Sequence, residues 1–368
     1  MDASLRVSLG RIIAQGLVPA TAAHSPLDAV KNLAALQGQQ ASAIPWAIGV
    51  RCTGVSRARV EESFARGELV RSWPMRGTVH VTSARDHHWL RRLLRHRRAA
   101  WERQALSLGL TDALVERAAQ VACELLETSP LGVSRVELVE AWGRNGIDTV
   151  TASSSQEGLR RRHLIMRLHL DGVLTAGPVR AGEHLIVDAR LLPAAPGVAK
   201  GEPGHEEALA VLAARYAWGH GPIDAADLAR WTGLTLTEAR RALAGARVAG
   251  ESVGLPLAEC GGGLARADLA DLVEDYRVEA EVMRALPPFD ELHVGYKDRS
   301  CLTDEAGEAL ICPAKNGMFR PIVVEGGRVV AVRAPGREIV MVKGYESRRR
   351  PAARAFDDWE KWLSETQQ

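Results

Sequence analysis

Residues 111–192 show the clearest order of local signals in the chain, and that order limits the folds available to it. Two capping boxes, Ser134 with Glu137 and Ser154 with Glu157, each predict the start of a helix. An amphipathic helix precedes them, and an apolar hairpin with a Gly-rich tip follows. Three helices followed by a hairpin is the order of a winged helix, whose third helix reads DNA in many proteins.

A second stretch, residues 205–255, repeats the three-helix pattern, with Asp224 and then Thr235 with Glu238 as helix caps. The overall prediction is a mainly α chain with small β elements, in which tandem winged-helix domains precede a C-terminal antiparallel β barrel or sheet. We expect four domains joined in part by a linker at residues 193–204: an N-terminal winged-helix-like domain at 1–110, a second winged helix at 111–192, a third winged-helix-like domain at 205–285, and a β domain with a tail helix at 286–368.

Charge is unevenly distributed along the 368 residues, although the formal net charge is only +2. Residues 1–110 hold 16 basic and 7 acidic residues, whereas residues 201–285 hold 8 and 14. The first stretch includes an Arg-rich helix predicted over 85–104, with Arg91, Arg92, Arg95 and Arg98 on one face, and the second ends in an acidic helix predicted over about 266–285. This pattern favours one polyanion-facing region balanced by an acidic scaffold. An uneven solvated surface is the alternative, and the acidic three-helix pattern is expected to be architectural.

Several protein classes are disfavoured by composition. The chain has no apolar run long enough to span a membrane and no signal-peptide layout at its start, so we expect a cytoplasmic protein without a membrane partner. The five cysteines form no CxxC pair, and the histidines form no ligand set, so no metal and no cofactor are expected. The CGGG run lacks a following GK[ST] and is not a P-loop.

Gln37 and Gln39 lie in the unusual segment LQGQQASAIPW. A helix that starts with Ser25 as its cap is predicted over about 27–36; it delivers Gln37 and is broken by Gly38. Side chains at i and i+2 share a face only in an extended chain, so the two amides converge only if the helix ends here. Paired amides offer donors and acceptors that could orient a water, but an amide is a poor general base. A capping or surface role stays open.

The motif LQGQQASAIPWAIGVR, followed by LVRSWPMRGTVHV, resembles the winged-helix DNA glycosylases of the AlkZ/YcaQ type, whose hallmark reads LQ-x-Q and then M-R-G-T-x-H. PPFDELHVGYKDRS and NGMFRPIVV are similar to the C-terminal region of that family. The resemblance therefore runs in order from about residue 10 to 345. Two glutamines at the motif positions match the family branch that confers resistance to interstrand crosslinks.

The resemblance implies a monofunctional DNA glycosylase that excises N7-alkylated purines and unhooks interstrand crosslinks. The implied partner is double-stranded DNA carrying such lesions, met by a monomer, and the implied role is self-resistance to a DNA-alkylating natural product. Gln37 and Gln39 would be catalytic, with Gln39 orienting the water and Gln37 supporting it or the sugar. Because an N7-alkylated purine already carries positive charge, no strong base is needed. A crosslinked base cannot be fully extruded, so we expect an open basic surface instead of a deep pocket.

Residues outside the Gln motif are expected to contact DNA, although exposed solubilising charge is the alternative for each arginine. Arg76, Thr78 and His80 alternate on the polar side of an extended segment predicted over residues 69–82. DNA is expected to lie across the N-terminal domain and the helix that begins near residue 156. Three carboxylates, Asp290, Glu291 and Asp298, could assist catalysis or simply cap loops. The remaining expected DNA contacts are Arg160, Arg161, Arg162, Lys297, Arg299, Lys315 and Asn316.

Two other functional classes compete with a glycosylase. A non-enzymatic winged-helix transcription regulator would explain the helix pattern and the basic region, but it would not need the paired glutamines or the β domain. A metal-dependent nuclease is disfavoured because the carboxylates are not clustered in the sequence. Incubation with alkylated duplex DNA without metal separates the three, since only a glycosylase leaves abasic sites.

Overall fold

The computed structural model describes residues 1–95, 99–147, 154–193 and 197–365. Within these ranges the chain is mostly helical with small antiparallel sheets, as predicted. The helices are α1 Ala3–Ala14, α2 Pro26–Asn32, α3 Ile44–Gly49, α4 Arg57–Ala65, α5 Ala84–Leu93, α6 Ala99–Ser107, α7 Asp112–Glu127, α8 Arg135–Arg144, α9 Ser154–Asp171, α10 His205–His220, α11 Ala225–Thr232, α12 Leu236–Ser252, α13 Leu269–Asp275, α14 Arg277–Glu281, α15 Glu291–Val294, α16 Glu305–Ile311 and α17 Arg349–Ser364. The strands are β1 Leu36–Gln37, β2 Leu69–Met75, β3 Thr78–Ser83, β4 Leu174–Arg180, β5 Glu183–Asp188, β6 Leu257–Cys260, β7 Gly263–Arg266, β8 Arg284–Leu286, β9 Ile322–Glu325, β10 Arg328–Arg333 and β11 Ile339–Met341.

The chain divides into two compact units. The terminal unit comprises residues 1–60 and 206–368, and the central unit comprises residues 61–205. This division separates the predicted N-terminal segment 1–110 into two parts and places the predicted segments 205–285 and 286–368 in one unit. The basic stretch at residues 1–110 is therefore shared between the two units.

The central unit contains the predicted order of three helices and a hairpin. Helices α7, α8 and α9 precede β4 and β5, and the capping box of Ser134 with Glu137 forms at the start of α8. The predicted capping box at Ser154 depends on side chains that lie outside the described residues. Strands β3, β2, β4 and β5 lie side by side in that order, all antiparallel. Trp142, fully buried, packs in the core under these helices and donates from its ring nitrogen to the carbonyl of Ala118.

Two segments of the central unit differ from the prediction. Residues 69–82 form a hairpin, not one extended strand, because the chain reverses at Arg76 and Gly77, whose φ angles are +53° and +69°. A pair of positive φ angles is what a tight hairpin turn requires. The single Arg-rich helix expected over 85–104 is observed as α5 and α6, and Arg98, placed on its basic face, lies outside the described residues.

The terminal unit is built on a four-stranded antiparallel sheet in the order β11-β10-β9-β8. Alternate residues of β9 point to opposite sides: Ile322 and Val324 pack toward a core that includes α1, whereas Val323 packs toward Phe356 of α17. Both faces of the sheet are therefore covered by helices. The sheet is open, and the alternative of a closed barrel is wrong.

The remaining helices of the terminal unit follow their local signals. Asp224 and Thr235 form capping boxes at α11 and α12, as expected, and the turn between these helices uses Gly233 in the left-handed region. The single acidic helix expected after the CGGG run is observed as α13 and α14, and the run itself is the turn of the β6–β7 hairpin. The predicted tail helix is observed as α17.

Candidate functional site

The segment that carries Gln37 and Gln39 leaves its helix earlier than the sequence predicts. Ser25 caps α2 as expected, but the helix ends at Asn32, four residues before the predicted end. Ala34, fully buried, has a φ of +60°, a conformation that costs free energy for any residue with a Cβ. Helix α10 packs directly against the end of α2, because a Cβ at Gly219 of α10 would lie 2.0 Å from the carbonyl oxygen of Asn32.

Beyond this turn the chain is extended as far as Gln37, whereas Gln39 lies in a bend, so the extended run that would put the two amides on one side does not continue through Gln39. Leu36 and Gln37 form β1, and Gly38 behind them is buried. Both Gln37 and Gln39 are half-buried, whereas the neighbouring Gln40 is exposed and donates to the hydroxyl of Ser42. The short helix α3 begins soon after, at Ile44.

Glu291 of α15 anchors the backbone of this segment. The main-chain N–H of Gln37 donates to its Oε2 at 3.0 Å. On the other oxygen, Oε1 accepts from Trp231 Nε1 at 2.6 Å and lies 3.2 Å from His220 Nε2. Only 1% of the Glu291 residue is exposed, and neither Trp231 nor His220 reaches solvent. The Gln motif thus contacts a buried carboxylate that accepts hydrogen bonds from the N–H groups around it.

A second buried network lies next to Glu291. Asp290 forms a bidentate ion pair with Arg51, with oxygen to nitrogen distances of 2.8 and 2.9 Å. Arg51 also donates to Gln15 Oε1 at 2.8 Å, and Gln15 donates to the hydroxyl of Tyr296 at the same distance. That hydroxyl in turn donates to the main-chain carbonyl of His220, and burial raises the pKa of Tyr296. The two networks therefore share α10 and α15.

A further buried ion pair joins α1 to α11 in the same unit. Arg11 donates to Asp227 at 3.0 Å, and its guanidinium lies 3.7 Å from the centre of the Tyr296 ring. Burial raises the pKa of the Asp227 carboxyl, which Arg11 and the main-chain N–H of Lys297 lower in part. Since Arg11 also donates to the carbonyl of Asp298, this pair fixes the loop after α15.

The three carboxylates singled out from the sequence have different roles in the structure. Asp290 caps α15 by accepting the N–H of Leu292, and Asp298 accepts the N–H of Ser300, so the capping interpretation is confirmed for both. Glu291 caps no helix and instead contacts Gln37. Sequence reasoning missed Gln15, Arg51 and Tyr296, although the last two lie inside the segments that carry the family resemblance. His220 and Trp231 had no such signal.

The residues expected to contact DNA in the central unit differ in exposure. Arg76 and Thr78 are half-buried at the hairpin turn. His80 is fully buried, with its Nδ1 3.0 Å from the carbonyl of Thr78 and its Nε2 3.3 Å from Arg76, so the expected solvent-facing side of this strand is wrong at His80. Along α9, the expected contact residues become more exposed in chain order: Arg160 and Arg161 are half-buried and Arg162 is exposed.

The basic face of α5 is largely engaged within the central unit. Arg91 donates to the carbonyl of Leu170, Arg92 pairs with Glu202, and Arg95 pairs with Asp171. A basic run in the sequence is therefore partly neutralised by its own fold.

In the terminal unit, Lys297 is exposed and Arg299 is half-buried, where it pairs with Glu308 and contacts His293. Burial lowers the pKa of His293, and Glu308 offsets this in part. Lys315 and Asn316 are exposed in the loop 313–318, where Asn316 accepts the N–H of Met318. These four residues do not form one cluster by direct contact in the interactions described.

Neither a metal-binding cluster nor a membrane-spanning helix is found among the described residues. In those ranges no three His, Cys, Asp or Glu side chains come together in a way that could hold a metal ion. No helix in the described part of the chain is long and apolar enough to cross a membrane.

The comparison with known families matches the segments that carry the site. A family model of the AlkZ-like DNA glycosylases matches residues 30–356, and the chain belongs to this family. Its class is therefore that of a DNA-repair glycosylase, with DNA as substrate. A solved structure, Streptomyces sahachiroi DNA glycosylase AlkZ, is similar in fold, with a TM-score of 0.66, 22% sequence identity, and coverage of 96% of this chain and 97% of that chain. No curated protein matches the sequence.

Proposed function

We propose that this glycosylase hydrolyses the N-glycosidic bond of N7-alkylated purines and unhooks interstrand crosslinks formed through them. The observation that carries the proposal is the anchored Gln37–Gln39 segment: it follows a strained turn, both glutamines are half-buried, and the main-chain N–H of Gln37 donates to a buried carboxylate. The family membership supplies the reaction class, and the paired amides favour a lesion that departs without protonation.

In this mechanism the C1′–N9 bond breaks as the alkylated purine leaves with its bonding electrons, which neutralise the positive charge on the base. The sugar becomes oxocarbenium-like, and a water adds to C1′ and loses a proton to solvent. Gln39 accepts a hydrogen bond from this water through its amide oxygen and so orients it. Gln37 supports the water or the sugar. Since the leaving group is already cationic, orientation and charge stabilisation replace strong acid–base catalysis.

The residues proposed to bind DNA are those of the expected set that are exposed or half-buried: Arg76, Thr78, Arg160, Arg161, Arg162, Lys297, Arg299, Lys315 and Asn316. We also propose that α7–α9 with β4–β5, and α10–α12 with β6–β7, are winged-helix folds, because in each case three helices are followed by a hairpin. The enzyme is proposed to be monofunctional, to act as a monomer, and to protect a cell that makes a DNA-alkylating natural product. Phosphate contacts predict that affinity falls steeply as salt is raised.

The test of this function is release of N7-methylguanine from duplex DNA in the presence of a metal chelator. We expect abasic sites with wild type, and losses of about 100-fold in single-turnover rate for Gln37→Ala and Gln39→Ala with unchanged DNA affinity, since each removes a group that acts on the water or sugar. Gln40→Ala is the matched control, because this exposed neighbour contacts only Ser42 in the described interactions. Wild-type rates in the double variant Gln37→Ala/Gln39→Ala would contradict the assignment.

A crosslinked duplex tests the finer proposal on substrate. Wild type is expected to separate the strands of an N7-linked interstrand crosslink, visible as faster-migrating products on a denaturing gel after the abasic sites are reduced. Strand scission without base release would indicate a nuclease, and binding without either product would indicate a regulator.

A further inference from the structure

Glu291 is a buried carboxylate in direct contact with the Gln motif. Its carboxylate accepts the main-chain N–H of Gln37, which belongs to a segment 254 positions away in the sequence. The contact therefore joins the motif to α15 through the backbone, without using the Gln37 side chain.

The donors around Glu291 come from three separate elements. Trp231 lies in α11, His220 ends α10, and Gln37 lies in β1, so the carboxylate is held by three N–H groups on its two oxygens. The Trp231 ring stacks on Tyr216, whose hydroxyl donates to the carbonyl of Gly295 at the end of α15. The carboxylate therefore has little freedom to move, and neither has the strand that it holds.

The chemistry of this arrangement requires a carboxylate. A carboxylate only accepts, whereas an amide has one accepting oxygen and one donating NH₂ group. In Glu291→Gln, one end of the side chain must place its NH₂ group against an N–H donor, either that of Gln37 or that of Trp231. A buried donor left facing another donor is strongly unfavourable, so the contact with Gln37 would be lost or displaced.

We propose that Glu291 is a positioning residue for catalysis: its carboxylate, itself fixed by Trp231 and His220, holds the backbone at Gln37 so that the two amides meet the water and the sugar. This inference rests on the proposed roles of Gln37 and Gln39. Glu291 does not touch substrate and transfers no proton. Its effect is exerted through the geometry of the strand, and a misplacement of about 1 Å is enough to cost roughly 100-fold in rate.

The first experiment measures single-turnover excision of N7-methylguanine, affinity for lesion DNA, and thermal melting for Glu291→Gln. We expect a rate loss of about 100-fold with affinity within about threefold of wild type. Glu238→Gln is the matched control, because Glu238 is also a buried carboxylate of the terminal unit that accepts a main-chain N–H, that of Thr235, and it forms the capping box at the start of α12. Glutamine serves at this capping-box position, so the rate should not change.

A double variant separates positioning from a direct effect of charge. In Trp231→Phe/Glu291→Gln the N–H of Trp231 is gone, so the Gln oxygen can accept from Gln37 while its NH₂ group faces the Phe ring and donates to Nε2 of His220 in the tautomer that leaves this nitrogen without a proton. We expect recovery of about tenfold in rate over Glu291→Gln alone, a coupling that only neighbouring residues show. If the negative charge of Glu291 acted on the sugar, or if the residue only supported the fold, the second substitution would restore nothing.

Wild-type excision by Glu291→Gln, or no recovery in the double variant, overturns the proposal. If Glu291→Gln has no cooperative melting transition, amide exchange of the wild-type protein decides. The Gln37 N–H should then exchange at least about 100-fold more slowly than in an unfolded chain, and an unprotected Gln37 amide overturns the proposal. Failure of the proposed function looks different, because wild type would then release no base or Gln37→Ala/Gln39→Ala would retain full activity.

Discussion

The two units bury opposite kinds of polar group. All six Arg, Asp and Glu residues that are buried in the described ranges lie in the terminal unit. They are Arg11, Arg51, Asp227, Glu238, Asp290 and Glu291. The described part of the central unit buries no such charge, but it buries six of the eight buried histidines, namely His80, His87, His163, His169, His184 and His205.

The two kinds of buried group have different consequences: the buried ion pairs of the terminal unit fix the geometry of the chain, whereas the buried histidines of the central unit make it sensitive to acid. A buried ion pair contributes little net stability, since desolvation offsets the attraction, but its directional contacts select one arrangement of the chain. Arg51 and Asp290 do this beside the residue that holds Gln37. Buried neutral imidazoles fix the geometry of the chain less strongly. They also resist protonation, because burial lowers the pKa of His169 to about 3 and that of His184 to about 4.

The largest expected effect comes from breaking one charge pair of the terminal unit. Arg51→Met leaves the Asp290 carboxylate buried without its cation, which should lower the free energy of unfolding by about 3–5 kcal/mol. Urea unfolding followed by tryptophan fluorescence measures this loss. Arg241→Met is the control, because Arg241 forms an exposed ion pair with Glu206 in the same unit and should not change stability measurably.

Replacement of both partners sharpens the comparison. Arg51→Met/Asp290→Leu removes the two charges together, so most of the lost stability should return. Excision should remain impaired, because Arg51 no longer contacts Gln15 and the neighbourhood of Glu291 is altered. Full activity in this double variant would show that the charge pair does not fix the site.

Acid should unfold the central unit before the terminal unit. An unfolded histidine has a pKa near 6.5, so the stability from a buried neutral histidine is complete above that pH and is lost as pH falls toward the folded pKa. For His169 and His184, whose folded pKa values are about 3 and 4, the loss at pH 5 is about 2 kcal/mol each. Amide exchange at pH 7.5 and pH 5, corrected for the intrinsic rates, measures it for each unit.

His87 allows this prediction to be tested further. Burial lowers the pKa of His87 well below its usual value, and neither of its ring nitrogens has a hydrogen-bond partner among the described residues. His87→Leu should therefore lose no hydrogen bond at pH 7.5 and should gain stability relative to wild type at pH 5. Equal loss of protection in both units on acidification would refute the comparison.

Structural features that depend on residues close together in the sequence could be predicted from it. The caps at Ser25, Ser134 and Thr235 start helices where expected, because each satisfies N–H groups of its own first turn. The end of α2 was not readable, since Ala34 is a strong helix former that tertiary packing forces into the left-handed region. A two-residue period predicted a polar side at His80, but periodicity cannot show that both sides are covered.

The candidate site shows the same limit. Gln37 and Gln39 were selected by an unusual segment and by resemblance, whereas their support came from residues more than 180 positions away, Trp231, His220 and Glu291. No local pattern encodes such a contact. Only the presence of Glu291 inside a family-like segment marked it, and its sequence context suggested a cap.

The smallest expected effect should be the same in both units, because it depends on local geometry alone. Ser25 in the terminal unit and Ser83 in the central unit cap α2 and α5 identically: each hydroxyl accepts the N–H of an Asp three residues on at 3.1 Å and donates to that carboxylate at 2.7 Å. Each Ser→Ala change should cost about 1 kcal/mol, and each Ser→Gly only a few tenths. Urea unfolding measures both pairs. Markedly unequal losses would show that caps, like the buried groups, depend on the unit around them.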